Sequence, residues 1–246
     1  MSKTRKIYFL RLIGRCVVFV LCFLMVLFQR KEFEVIKGLN FFKRFSVLHI
    51  LWVIWMLDMI FQLIPIKAHI SIGSQKQFLS LFRPIKEKVN YQKLKKYIVD
   101  TTKSAYKVMI IWGFLTLVIC ALYLFGIIDA TVVLLISAFF YVCDLICVLI
   151  WCPFRLIMGN KCCTTCRIFN WDHLMMFAPF LAVRGFYSWT LFGFSLLVFL
   201  VWELCVLLYP ERFWENSNTA LRCSECTDKL CTQYCRKLRK PPEIKY

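Results

Sequence analysis

Eight of the fourteen cysteines lie in two short stretches. The first, "WCPFRLIMGNKCCTTC", holds Cys152, Cys162, Cys163 and Cys166. The second, "RCSECTDKLCTQYC", holds Cys223, Cys226, Cys231 and Cys235. A C-x2-C pair brings two thiolates to one side of a tight turn, the usual start of a zinc or iron–sulfur site. The four tail cysteines suffice for a tetrahedral zinc shell or one iron–sulfur cluster. Their x2, x4, x3 spacing, followed by Arg236, departs from the C-x2-C-x2-C-x3-C-P run of bacterial ferredoxins. The loop motif has one good pair, Cys163 and Cys166, supplemented by Cys162 and Cys152. Alone it is half a site. Placed on the same side of a membrane, loop and tail would share one metal or hold two. Redox-active thiols or disulfides are the competing reading, which an inverted topology would favour. Nearby Lys161, Arg167, Arg222, Lys229 and Arg236 favour thiolates in any of these cases.

Three carboxylates, Asp58, Asp144 and Glu203, fall inside apolar runs. Each costs several kcal/mol there unless protonated, paired or hydrated, which makes each a functional candidate. Counted from the ends of their segments, the three share one depth to within about 3 Å. They would form a proton or cation site, or merely bond neighbouring groups and help the helices associate. Cys143 and Cys147 flank Asp144 and would add soft ligands or act as packing residues. The Asp172-His173 pair would orient a ligand or donate to the Cys loop; alternatively Asp172 starts a helix. His49 reads as a bonded interface residue.

The elements that must hold these residues are set by composition. The chain has 246 residues, is 60% hydrophobic and 17% aromatic, and has a mean hydropathy of +0.65. That excess of apolar side chains faces lipid, and several segments reach the ~20 residues a spanning helix needs. Expected spans are 8–28, 45–66, 108–128 and 130–151, followed by a 37-residue stretch, 173–209, interrupted by "RGFYS". This stretch either crosses twice, with a short fifth helix near 170–183 and a sixth near 187–209, or holds one re-entrant piece and one crossing. The basic, apolar start is expected to be a retained anchor, with Arg11 and Arg15 snorkelling to headgroups. Cys16, Cys22, Cys120 and Cys205, like Cys143 and Cys147, sit in apolar runs as small hydrophobes.

Charge orients the bundle. The net charge is +18. Six crossings with the N-terminus inside place 26 Lys and Arg in cytoplasmic segments and 6 outside; five crossings give 18 against 14. The positive-inside rule favours six, with both termini and both cysteine clusters in the reducing compartment. In the basic loop 67–107, Leu94, Tyr97, Ile98, Thr101 and Ala105 recur at helical spacing opposite Lys93, Lys95 and Lys96. This predicts an amphipathic helix on the inner membrane surface.

The sequence therefore implies an all-α, polytopic membrane bundle. Residues 1–209 form the transmembrane domain, with the Cys-rich loop 152–172, and residues 210–246 form a basic cytosolic tail. The basic residues meet anionic headgroups of the bilayer rather than nucleic acid. No Gly-rich phosphate loop, HExxH or G-x-S-x-G motif is present. The expected function is metal binding at the inner membrane surface, through zinc or an iron–sulfur cluster. In a redox version, a soluble partner delivers electrons. In the alternative, a small transporter or an assembly scaffold uses zinc as a structural clamp.

Overall fold

The computed structural model describes residues 3–64, 74–86, 88–160, 162–225 and 230. Among them regular structure is helical and no sheet forms. Six helices organise the molecule: α1 (Lys3–Phe28), α2 (Leu48–Leu63), α3 (Tyr91–Leu124), α4 (Ala130–Leu149), α5 (Asp172–Phe177) and α6 (Phe186–Leu208). Of these, α1, α3, α4 and α6 are long and apolar enough to cross a membrane, while α2 has 16 residues. Their outer faces are apolar. Ile110, Phe114 and Leu117 on α3 and Leu204, Leu207 and Leu208 on α6 are all exposed. Contiguous apolar surface of this kind belongs against lipid.

Local chemistry sets the element ends. Asn90 caps α3 by accepting from Lys93 N at 3.1 Å, and Asp129 caps α4 by accepting from Val132 N at 3.0 Å. Between α3 and α4, Gly126 takes φ +73°, a left-handed conformation that lets the chain reverse in a short turn. This turn runs over Phe125–Asp129, longer than the single Asp129 expected from sequence. Asp129 is also paired to Arg30, which ties the turn to the exit of α1.

The expected surface helix in 67–107 differs more. The apolar positions do share a face, but that face is covered by protein. Ala105 and partly buried Ile98 pack with Ile168, Trp171, Trp202 and Phe213, and Tyr97 lies 5.9 Å from Trp214. Nothing between Lys103 and Val108 breaks a helix, so the amphipathic turns and the span form one 34-residue helix. Residues 65–73 of that loop lie outside the described residues.

The segment 169–183 is the centre of the bundle. It is assembled from a 3-10 turn, the six-residue α5 and a second 3-10 turn over Ala178–Ala182. Phe177 and Phe180 are fully buried, packed among Trp55 and Met59 of α2, Val133 and Leu134 of α4, and Tyr187 and Leu191 of α6. Pro179 breaks the helix because it lacks an N–H, which leaves the Met175 carbonyl without its helical partner. Trp112 Nε1 of α3 donates to that carbonyl at 3.0 Å, and Cys120 Sγ donates to the Pro179 carbonyl at 3.8 Å. Irregular backbone at membrane depth is tolerated only when enclosed by protein in this way.

Two sets of contacts define the poles. At one, Gly38 N donates to Arg184 O at 2.8 Å and Phe186 N donates to Gly38 O at 2.9 Å. A Cβ on Gly185 would lie 2.1 Å from the Ile36 carbonyl oxygen, so only glycine fits. At the other, Lys76 Nζ donates to Cys166 O at 2.8 Å and Thr219 N donates to Arg83 O at 2.8 Å. Replacing Trp112 with Phe keeps the packing but removes the donor to Met175 O. It should destabilise the protein by about 1–3 kcal/mol, the cost of an unsatisfied buried carbonyl, read as a lowered Tm in detergent.

Candidate functional site

Four helices converge on one buried guanidinium. Arg15 of α1 donates from Nη1 to Asp144 Oδ2 of α4 at 2.6 Å and from Nη2 to Asp58 Oδ2 of α2 at 3.1 Å. It also donates to the Tyr141 carbonyl at 2.7 Å and stacks over the Tyr141 ring at 3.8 Å. From α5, His173 places Nε2 3.6 Å from Asp58 Oδ2 and Nδ1 3.3 Å from Asp172 Oδ2. Gln62 Nε2 donates to Asp172 Oδ2 at 3.2 Å. Three carboxylates thus face one permanent cation and one titratable ring. In a water-free interior such charges persist only when paired and hydrogen-bonded.

The sequence placed Asp58 and Asp144 at one depth, and the structure joins them. It expected Arg15 to snorkel outward; instead Arg15 turns inward to the two acids. The available signal was depth: Arg15 lies about 18 Å along the helix from Lys3, far for a side chain seeking headgroups. Glu203 does not join the network. Its two carboxylate oxygens accept from Arg167 Nη1 at 2.8 Å and Nη2 at 2.5 Å, and Oε1 also accepts from Trp171 Nε1 at 2.8 Å. This bidentate pair fastens the end of the Cys loop to α6, with Trp202 Nε1 bonded to Arg167 O at 2.9 Å. His49 is bonded to backbone at Ser46 and Phe41, as an interface histidine should be.

The cysteine pole is organised by Asn160 and Lys76. Asn160 Oδ1 accepts from Thr165 Oγ1 at 2.8 Å, and Thr165 Oγ1 also reaches Cys162 O at 3.1 Å, closing the loop on itself. Cys162 Sγ donates to Thr164 Oγ1 at 3.4 Å. Burial pushes the Cys163 thiol up to about 12 and raises that of Cys166 as well. Lys76 is buried against the Trp202 ring, 5.3 Å away, and burial lowers its ammonium to about 8 despite the neighbouring Cys166 and Cys162. Cys152 lies just past the end of α4. The neighbouring Cys147 thiol and the backbone N–H groups of Arg155 and Phe154 lower the Cys152 thiol below its ordinary value.

Among the described residues, no group of three or more His, Cys, Asp or Glu side chains is arranged to hold a metal ion. Cys223 is described and half-buried; Cys226, Cys231 and Cys235 lie outside the described residues. Leu230, between two of them, is buried against Tyr8 and Leu12 of α1 and Val142, Leu145 and Leu149 of α4, with Phe169 alongside.

A cavity of about 260 Å³ opens between α3, α4, α5 and the Cys loop. Cys147, Cys152 and Cys166 line it, together with Asp144 and Asp172. Its remaining walls are apolar and include Trp112, Phe140 and Phe154. On the far side of the two acids lies a cavity of about 40 Å³ bounded by Arg15, Asp58 and Gln62. That is room for at least one water. Asp144 and Asp172 therefore separate a thiol-lined apolar cavity from a polar one. Sequence reasoning noticed Cys147 only as a packing residue or soft ligand, because its partner Cys152 lies beyond the end of its helix.

Comparison with protein families, curated proteins and solved structures returns no match for this chain.

The buried Lys76 gives a pH signature. Its ammonium falls from 10.5 to about 8 on folding, so the unfolded chain holds more protons across that window and stability rises with pH there. Between pH 7 and 9 this contributes about 1 kcal/mol, lost as the pH falls. Thermal unfolding scans at the two pH values should show a smaller upward shift in Lys76→Met than in the wild type.

Proposed function

We propose that this chain is a six-pass membrane protein whose cysteine pole faces the reducing compartment and carries out thiol-based redox chemistry, with protons handled by the carboxylates beneath. Six passes are supported by the pole contacts. The α1–α2 loop and the start of α6 meet at one end, the Cys loop and the residues around Lys76 at the other. The short, proline-broken segment 169–183 makes the fifth pass inside a sheath of longer helices. The charge bias of 26 basic residues against 6 orients the bundle, leaving both termini in the cytosol and the basic pole against anionic headgroups.

The observation that carries the redox reading is the shared cavity, where Cys147, Cys152 and the acids Asp144 and Asp172 all face one apolar space. Transfer of two electrons from a dithiol releases two protons, and carboxylates tied to a hydrated network are suited to move them. A cation path is the weaker reading, because Arg15 already neutralises Asp58 and Asp144. The test is equilibration of anaerobically purified protein against a glutathione redox buffer, followed by alkylation and peptide mapping. A reversible Cys147–Cys152 disulfide is expected. Thiols that stay reduced under oxidising buffer sink the reading.

A metal centre completed by the tail is a second reading, favoured by Leu230. It is buried against α1 and α4 and lies in the sequence between Cys226 and Cys231. Cys162, Cys163 and Cys166 with the tail cysteines would then clamp zinc or carry an iron–sulfur cluster, leaving Cys152 to Cys147. Metal analysis with a visible spectrum tests this. One metal per chain is expected, colourless for zinc and brown for iron–sulfur, and removed by both Cys163→Ser and Cys226→Ser. Metal-free protein of normal stability contradicts it.

A further inference from the structure

The large cavity is too small for an extended ligand and too apolar for a sugar, nucleotide or free thiol. Sites for drug-sized ligands start near 300 Å³, so about 260 Å³ accommodates one or two fused rings. The walls narrow the class further. Trp112, Phe140 and Phe154 offer flat aromatic faces, which favour a planar ring by stacking. Phe139 both lines the cavity and is exposed on the lipid-facing surface of α4, so the cavity reaches the hydrocarbon layer. Two carboxyl groups, Asp144 and Asp172, stand on one boundary, and the Cys147–Cys152 pair on another.

We infer that this cavity takes the ring of a lipid-soluble quinone, which accepts the two electrons of the Cys147–Cys152 dithiol. This rests on the thiol-redox reading above and names its acceptor. The reaction balances with nothing else supplied. The Cys152 and Cys147 thiols form one S–S bond. Two electrons pass to the quinone, which becomes a hydroquinone. The two protons that the thiols give up end on its oxygens, carried by Asp144 and Asp172. An aromatic-walled site open to lipid admits the ring directly from the bilayer, and the polar cavity behind the acids supplies the proton exchange with the Arg15 network. Cytosolic thiols regenerate the dithiol by disulfide exchange, so the net reaction reduces a membrane quinone at the expense of a soluble thiol.

The probe is duroquinone, whose four methyl groups block addition of thiols to the ring. Full-length protein, reduced and held in mild detergent without oxygen, is mixed with one equivalent. The expected result is one hydroquinone and one Cys147–Cys152 disulfide per chain. Cys143 also lines the cavity, and Cys143→Phe fills it while leaving both cysteines of the pair in place. It should slow duroquinone reduction at least tenfold while leaving oxidation of the pair by oxidised glutathione unchanged. If duroquinone oxidises this variant as fast as wild type, the cavity is not the site and the inference is overturned. Should glutathione oxidise the wild-type pair while duroquinone is not reduced, the quinone assignment fails and the thiol-redox reading stands. Neither oxidant acting on the pair would sink both.

Discussion

A layer without water leaves every polar group dependent on a partner in the protein, and this constraint shapes the whole bundle. It acts first on side chains. Asp58, Asp144 and Asp172 come from three helices and would each be too costly alone. Arg15 and His173 gather them, so four helices are held in one arrangement by charge as much as by packing. It acts next on backbone. Pro179 leaves a carbonyl unbonded at the centre of the molecule, and the only way to keep it there is a donor from a neighbouring helix. Trp112 fills that role and lines the thiol-bearing cavity as well. The fold and the site therefore share residues rather than sit side by side.

The same logic explains why the acids lie where they do. Asp144 faces a cysteine-lined apolar space on one side and a small polar space bounded by Arg15 on the other. A carboxylate at such a boundary is stabilised by Arg15 when ionised, yet remains accessible to chemistry on the far side. Glu203 has no such boundary: Arg167 and Trp171 take all of its acceptor capacity that faces inward, and it fastens the Cys loop to α6. Three intramembrane acids of similar depth thus divide into two kinds of work, set by which helix face each occupies.

The apolar segments and the hairpin of α3 and α4 were legible because each depends on length and spacing along a single stretch of chain, and depth counting anticipated the meeting of Asp58 and Asp144 but not the separate place of Glu203. Helical periodicity likewise identified the face of residues 94–105, though not what covers it, since Trp214 and Phe213 lie more than a hundred residues away. Pairings across the bundle were not legible for the same reason. Arg15 read as a headgroup anchor because its nearest neighbours in sequence are apolar, and only the packing of α1 on α4 turns it inward. Cys147 and Cys152 are five apart, but one is helical and the other is not, so no periodic argument puts them together. The stretch 173–209 was expected to be interrupted at "RGFYS", whereas the helix breaks at Pro179, and the place of 169–183 at the hub followed only from what surrounds it.

The close approach of Gly38 to Gly185 has a consequence for how the chain is made. These residues are 147 positions apart, and the ribosome releases them in order, so the loop after α1 must wait for most of the chain before it acquires its partner. Segment 169–183 is worse placed, since its broken backbone lacks its full packing until α6 has followed it. The early helices α1 to α4 can insert as they emerge; the hub cannot. Assembly must therefore end with a concerted step in which residues 169–208 enter a groove already lined by the others, so that the last part synthesised is the part around which the rest closes. Truncation between Leu149 and Phe169 would leave Arg15, Asp58 and Asp144 holding an empty centre.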